Sequence, residues 1–235
     1  MMAECQATFH YTEDVVTHLV HGLSKRRCEP YMRRAGFRPD IAFQLYLYNA
    51  RLAKSFLFPL HVVEVVLRNA VDDILSSRFT TRWPVSAEFR SLLTPPSLAS
   101  LQKAIDRTTK RRTASKDDVV AHLTFDFWSN LFRPEYDRPL WQAGMQALLP
   151  NAALPRRADF QRTVSRINRL RNRIAHHESI LDENATQKFK EIVDVVRYRS
   201  VTTADWLRSH ATVHQVIRNR PSLTRGLTDD AIDRS

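Results

Sequence analysis

The sequence predicts an all-α protein, and three observations carry that prediction. Only 4 of its 235 residues are glycine, whereas strand-rich folds need many tight turns with positive φ. Apolar residues recur at three- and four-residue intervals in one segment after another. Alternating apolar and polar residues of the strand kind are nearly absent. A chain of this length buries a substantial core, and a hydrophobic fraction of 43% excludes general disorder. Residues 1–220 read as a single helical domain and residues 221–235 as a flexible tail.

The elements follow in order. Residues 12–23 form a short helix with Thr12 as N-cap and Glu13 and Asp14 in its first turn. Residues 24–35 form a second, distorted by Pro30 and closed by Gly36. Ile41, Leu45, Tyr48, Leu52 and Phe56 define a helix over 40–57. Pro59 is expected to break or kink the chain before another helix over 60–77. Pro84, Pro95 and Pro96 mark 83–97 as a connection. Helices are expected over 98–110, 119–132, 139–149, 156–177, 184–199 and 204–219, with a polar, basic, mobile stretch at 108–118.

Charge narrows the partners. Lys and Arg number 36 against 25 Asp and Glu, leaving +11. Such a balance suits a polyanion, either nucleic acid or an acidic membrane surface. Arginine outnumbers lysine, and its fork grips phosphate bidentately; an Arg-rich source genome would produce the same bias. The best apolar run, 56–67, contains Pro59, His61 and Glu64, short of the roughly 18 apolar residues a membrane span needs. No secretory signal is visible. Two cysteines, Cys5 and Cys28, are too few for a disulfide framework. The expected location is the cytoplasm, with both thiols reduced.

The segment 156–177 carries the candidate chemistry. At about 100° per residue, Phe160, Val164, Ile167, Leu170 and Ile174 gather on one side. Arg162, Arg166, Arg169 and Arg173 gather on the opposite side. Their mutual repulsion is relieved by a phosphate backbone or, more plainly, by solvent and counter-ions. Arg171 falls within the apolar sector, where a charge needs a partner or a wet cleft; a structural ion pair is the alternative. Asn172 and His176 are four apart and share a face, and His177 and Glu178 follow where the pattern ends.

The run Leu-Arg-Asn-Arg-Ile-Ala-His-His-Glu at 170–178 contains R-N-x-x-x-H and resembles the motif of HEPN-superfamily ribonucleases, specifically their Abi-like (abortive infection) branch. Leu-Tyr-Leu-Tyr-Asn at 45–49, Glu-Val-Val-Leu-Arg-Asn at 64–69 and Leu-Thr-Phe-Asp-Phe-Trp at 123–128 resemble that branch in the same order. The resemblance covers roughly residues 20–180. It departs at Asp126, where the branch usually has glycine. It implies an HEPN-like helical bundle with extra terminal helices, a symmetric homodimer with a composite cleft, an anti-phage toxin role, and an antitoxin protein or RNA as partner.

RNA is cleaved without metal when its 2′-hydroxyl attacks the adjacent phosphorus, and a histidine serves either proton role at neutral pH. His176 is then the acid–base residue, Arg171 the phosphate clamp, Asn172 an orienting group, and a 2′,3′-cyclic phosphate the implied product. Arg162, Arg166 and Arg169 are candidate RNA contacts, and His177 a supporting residue. Arg171 and His176 lie about 140° apart on an ideal helix. Either His176 turns back at the helix end or two subunits pool their motifs; Arg173 is the reserve clamp. Glu64 and Arg68, four apart, are expected to pair, either bracing the core or lining the cleft and ordering Arg171. No cofactor is expected, and no metal site, since C-x-x-C and H-E-x-x-H are absent. Phe125, Trp128 and Phe132 read as core. A catalytically silent RNA-binding module is the alternative function, and a purely structural helical dimer the third.

Overall fold

A computed structural model of the chain describes residues 9–109, 115–142, 144–153 and 156–222. Among them lie twelve α-helices and no strand, so the protein is all-α. The chain divides into two compact units, one from Met1–Lys54 with His214–Ser235 and the other from Ser55–Val213.

In the first unit, α1 (Glu13–Leu23) starts where Thr12 accepts a hydrogen bond from the Val15 amide. The second helix, α2 (Lys25–Arg34), keeps Pro30 inside it. It ends in a six-to-one turn, the Phe37 amide bonding the Met32 carbonyl and the Gly36 amide that of Arg33. Gly36 has φ +60 there. Tyr11 stacks on Phe43 and Tyr31 meets Tyr46 edge-on. Buried Cys28 has its thiol pushed up by that burial. Cys5 lies outside the described residues.

Helix α3 runs unbroken over Pro39–Phe79 and carries Pro59 inside it. The expected division into two helices is therefore wrong. Proline removes one hydrogen bond and crowds the preceding turn, at about 3 kcal/mol. On either side of it Phe56, Leu60, Val62, Val63 and Leu67 are buried, and each such side chain contributes roughly 1.5–3 kcal/mol. Packing outweighs the local break.

The stretch 83–97 is likewise more than a connection. It holds a 3-10 turn at Trp83–Val85 and helix α4 (Ala87–Leu92), capped by Ser86. Helix α5 (Pro95–Thr109) begins at the proline pair, since proline fits a first helical turn. The basic segment expected to be mobile lies in part outside the described residues, at 110–114. After it, a Ser115–Asp118 capping box opens α6 (Lys116–His122). The single helix expected over 119–132 is two, because Leu123 is extended and α7 (Phe125–Asn130) starts afresh. A π-turn at Asp137–Trp141 and α8 (Met145–Leu148) replace the helix expected over 139–149.

Aromatic rings fill the centre of the second unit, Ser55–Val213. Trp83, Trp128, Trp141, Tyr136, Phe125 and Phe132 are fully buried. Three of their polar ends find partners where the fold crosses itself: Trp83 Nε1 donates to Asp72 at 2.7 Å, Trp141 Nε1 to the Leu131 carbonyl at 2.6 Å, and Tyr136 Oη to Thr94 Oγ1 at 3.2 Å. Lys116 also reaches Asp72, at 2.5 Å. Burial pulls its ammonium down, but Asp72's hydrogen bond and charge outweigh that and hold it above the usual lysine range. Helices α9 (Arg157–Ala175), α10 (Ala185–Arg199), α11 (Val201–His210) and α12 (Val213–Arg218) complete the order. The helix expected over 204–219 is thus two. The tail predicted from residue 221 lies, from 223 on, outside the described residues. No helix among the described residues is long and apolar enough to cross a membrane.

Candidate functional site

Helix α9 buries Phe160, Val164, Ile167, Leu170 and Ile174 along one stripe, as its periodicity predicts. That stripe fixes what every other side chain of the helix faces. Arg171 points along the edge toward α3, where its Nε lies 3.7 Å from Glu64 Oε2. Its Nη1 donates to the Asn172 side-chain oxygen at 3.3 Å. The Arg171 side chain is 38% exposed, and its Nη2 makes no hydrogen bond among the described residues. Arg171 is thus held at two corners and open at the third, where Nη2 can donate to a phosphate oxygen.

The expected Glu64–Arg68 pair does not form. Glu64 meets Arg171 instead, while Arg68 Nε donates to the neighbouring Asn69 side chain at 3.4 Å. Glu64 thus faces the guanidinium presented by α9 and not the one a turn away on its own helix.

Asn172 uses both ends of its amide. Its oxygen accepts from Arg171, and its Nδ2 donates to Asp126 Oδ1 at 3.5 Å. Asp126, in the first turn of α7, also accepts a 2.6 Å bond from Asn168 Nδ2. Sequence reasoning singled out Asp126 only as a departure from a family pattern, and Asn168 not at all. The one available signal was the Asn168–Asn172 spacing, which puts two amides on one helix face.

His176 is exposed and is the C-cap of α9, with φ −91 and ψ 8 and its amide bonded to the Asn172 carbonyl at 2.9 Å. The chain leaves the helical path one residue later. His177 has φ +56, the Glu178 amide bonds the Arg173 carbonyl, and the His177 amide bonds that of Ile174. This is a six-to-one helix stop with histidine where glycine is usual. Because the reversal occurs at His177, the backbone at His176 stays near the helical path, and the end of α9 does not swing it back toward Arg171. The offset of about 140° between the two persists.

The arginine stripe is not a free basic face. Arg166 Nε bonds Glu191 Oε1 of α10 at 2.8 Å, and Glu191 is buried. Arg173 bonds Glu183 at 2.8 Å, donates to the Ser179 carbonyl, and has Glu178 at 3.6 Å. As a reserve clamp Arg173 is committed elsewhere, both its Nη groups being bonded to the loop after His176. Arg162 pairs with Asp159 on the exposed surface. Arg169 is exposed and has no ion pair or hydrogen bond among the described residues. The helical spacing of the four is as predicted, but α10 covers part of the sector expected to face solvent. No group of three or more His, Cys, Asp or Glu stands ready for a metal among the described residues.

Compared with protein-family models, with curated proteins and with solved structures, the chain finds no match.

Proposed function

We propose that the protein is a metal-independent endoribonuclease working at Arg171, Asn172 and His176. The observation that carries this reading is the guanidinium of Arg171, steadied by Glu64 and Asn172 with one edge open, on the same helix end as an exposed histidine. The 2′-hydroxyl of RNA attacks phosphorus, the P–O5′ bond breaks, and the products end in 2′,3′-cyclic phosphate and 5′-hydroxyl. His176 takes the proton from O2′ or delivers one to O5′. Arg171 neutralises the charge that gathers on the phosphorane.

Since Arg171 and His176 diverge on one helix, the reading includes a homodimer in which two motifs face one cleft. An abortive-infection role and an antitoxin partner follow from the family resemblance, and the cytoplasm is the expected location. RNA contacts fall on Arg169 and Arg162, with Arg166 held back by Glu191. The measurement is cleavage of total RNA in EDTA by wild type and His176→Ala. The variant is expected to keep wild-type thermal stability and to lose about two to four orders of magnitude in rate. Full metal-independent cleavage by His176→Ala, in a preparation free of other nucleases, overturns the assignment and leaves a binding module.

A further inference from the structure

We propose that Asp126 is a positioning residue, holding the Asn172 amide in one orientation and, through it, the Arg171 guanidinium. The inference rests on the reading of Arg171, Asn172 and His176 as the working site. A side-chain amide has a donor end and an acceptor end of nearly the same shape, so its orientation is set by its neighbours. Asn172 sits between an acceptor and a donor. Asp126 Oδ1 lies 3.5 Å from its nitrogen, and Arg171 Nη1 lies 3.3 Å from its oxygen. Turning the amide over would set NH2 against guanidinium and C=O against carboxylate, so both contacts would become repulsive. Asp126 therefore reinforces, from the far end of the amide, the orientation that presents its oxygen to Arg171.

Asp126 is itself anchored, by the 2.6 Å bond from Asn168 Nδ2. The Asn168 oxygen is buried without a hydrogen-bond partner among the described residues. An amide that strands its own oxygen is a costly way to join α7 to α9, where apolar packing would serve. Asp126 is also exposed, so its polar contacts add little to stability. What the arrangement does achieve is a continuous line of contacts, Asn168 to Asp126 to Asn172 to Arg171 to Glu64, that fixes the guanidinium from both sides. Arg171 then meets the phosphate with little reorganisation, which is where preorganisation acts on rate.

The test joins kinetics to a spectroscopic readout that needs no activity. Asp126→Ala is expected to lower kcat for RNA cleavage between about tenfold and a hundredfold, with RNA affinity changed less than about twofold and the melting temperature close to wild type. Asp126→Asn keeps an acceptor oxygen without the charge, and should restore most of the rate. That outcome separates positioning from the ordinary benefit of an acid in a first helical turn. In an Asn172→Ala background, Asp126→Ala should cost nothing further, because its effect passes through Asn172. The 1H–15N resonances of Asn172 Nδ2 and Arg171 Nε should both shift in Asp126→Ala. Unmoved resonances overturn the proposal whatever the activity, and so does full cleavage by Asp126→Ala. Shifted resonances in a protein whose wild type cleaves no RNA would sink the nuclease reading while leaving the positioning role intact.

Discussion

The two flanks of α9 draw on the same residue types and put them to different use. Toward α10 and the loop that precedes it, arginine meets carboxylate at short range: Arg166 with Glu191 and Arg173 with Glu183, both at 2.8 Å. The carboxylates there are nearly buried, Glu191 at 8% and Glu183 at 18% side-chain exposure. Toward α3 and α7 the contacts lengthen to 3.7, 3.3 and 3.5 Å around Arg171 and Asn172. A short pair to a buried carboxylate is committed to the fold, because breaking it strands a charge. A longer, half-exposed set holds a side chain in place and leaves donors for something else. The difference separates bracing arginines from an available one on a single helix.

The largest stability effect is expected on the committed flank. Arg166→Ala leaves Glu191 buried without its main partner, and should cost about 2 kcal/mol. All four tryptophans (Trp83, Trp128, Trp141 and Trp206) belong to the unit that contains α9, so urea denaturation followed by their fluorescence reads it directly. Replacing Arg166 and Glu191 together with leucine should recover most of the loss, since an apolar pair avoids the desolvation penalty. A single variant that costs less than about 0.5 kcal/mol, the scale of an exposed pair, would erase the contrast between the flanks.

On the other flank the sizes invert. Arg171→Lys keeps the charge near Glu64 and should change stability by less than about 0.5 kcal/mol. It loses the fork, so RNA should still bind while cleavage falls by at least about tenfold. Log–log salt plots of RNA affinity sharpen the same comparison. Each lost contact flattens the slope by about 0.7 for single strands. Arg169→Gln and Arg162→Gln should each show that change, and Arg166→Gln should not. An equal flattening for all three would mean that Arg166 leaves Glu191 when RNA arrives.

Long-range pairing marks the boundary of what the sequence reveals. The buried stripe of α9 is legible because five apolar residues at helical spacing over 19 positions leave little choice of face. The candidate residues Arg171, Asn172 and His176 are legible for the same reason, being local to that helix. Which neighbour covers each remaining angle is not local. Helical spacing puts Arg166 opposite the core, but only the packing of α10 turns that angle from solvent into an ion pair. Asp126 meets Asn168 and Asn172 across more than forty residues of chain, and no periodicity reports it. Pro59 shows the reverse error, a strong local rule overridden by the buried residues around it. The division of 119–132 comes from two extended residues, Leu123 and Thr124, a boundary that apolar spacing does not register.

The smallest expected effect lies where the two flanks meet, at the stop after His176. The same turn ends α2 with Gly36 in the left-handed position and ends α9 with His177. A side chain there clashes with its own backbone at about 1 kcal/mol. His177→Gly should therefore stabilise the protein by roughly 0.5–1 kcal/mol, raising the melting temperature by about 2–4 °C per kcal/mol. His177→Ala keeps the strained backbone and removes the imidazole, so it should show none of the stabilisation expected of His177→Gly. If His176 alone carries the proton, both variants should cleave RNA within about threefold of wild type. A tenfold loss shared by both would give the His177 ring a part in the chemistry. A loss confined to the glycine variant would mean instead that the stiff turn keeps His176 in place. Heat denaturation and a cleavage time course on the same three proteins distinguish these outcomes. They also decide whether the stop belongs with the committed flank of α9 or with the available one.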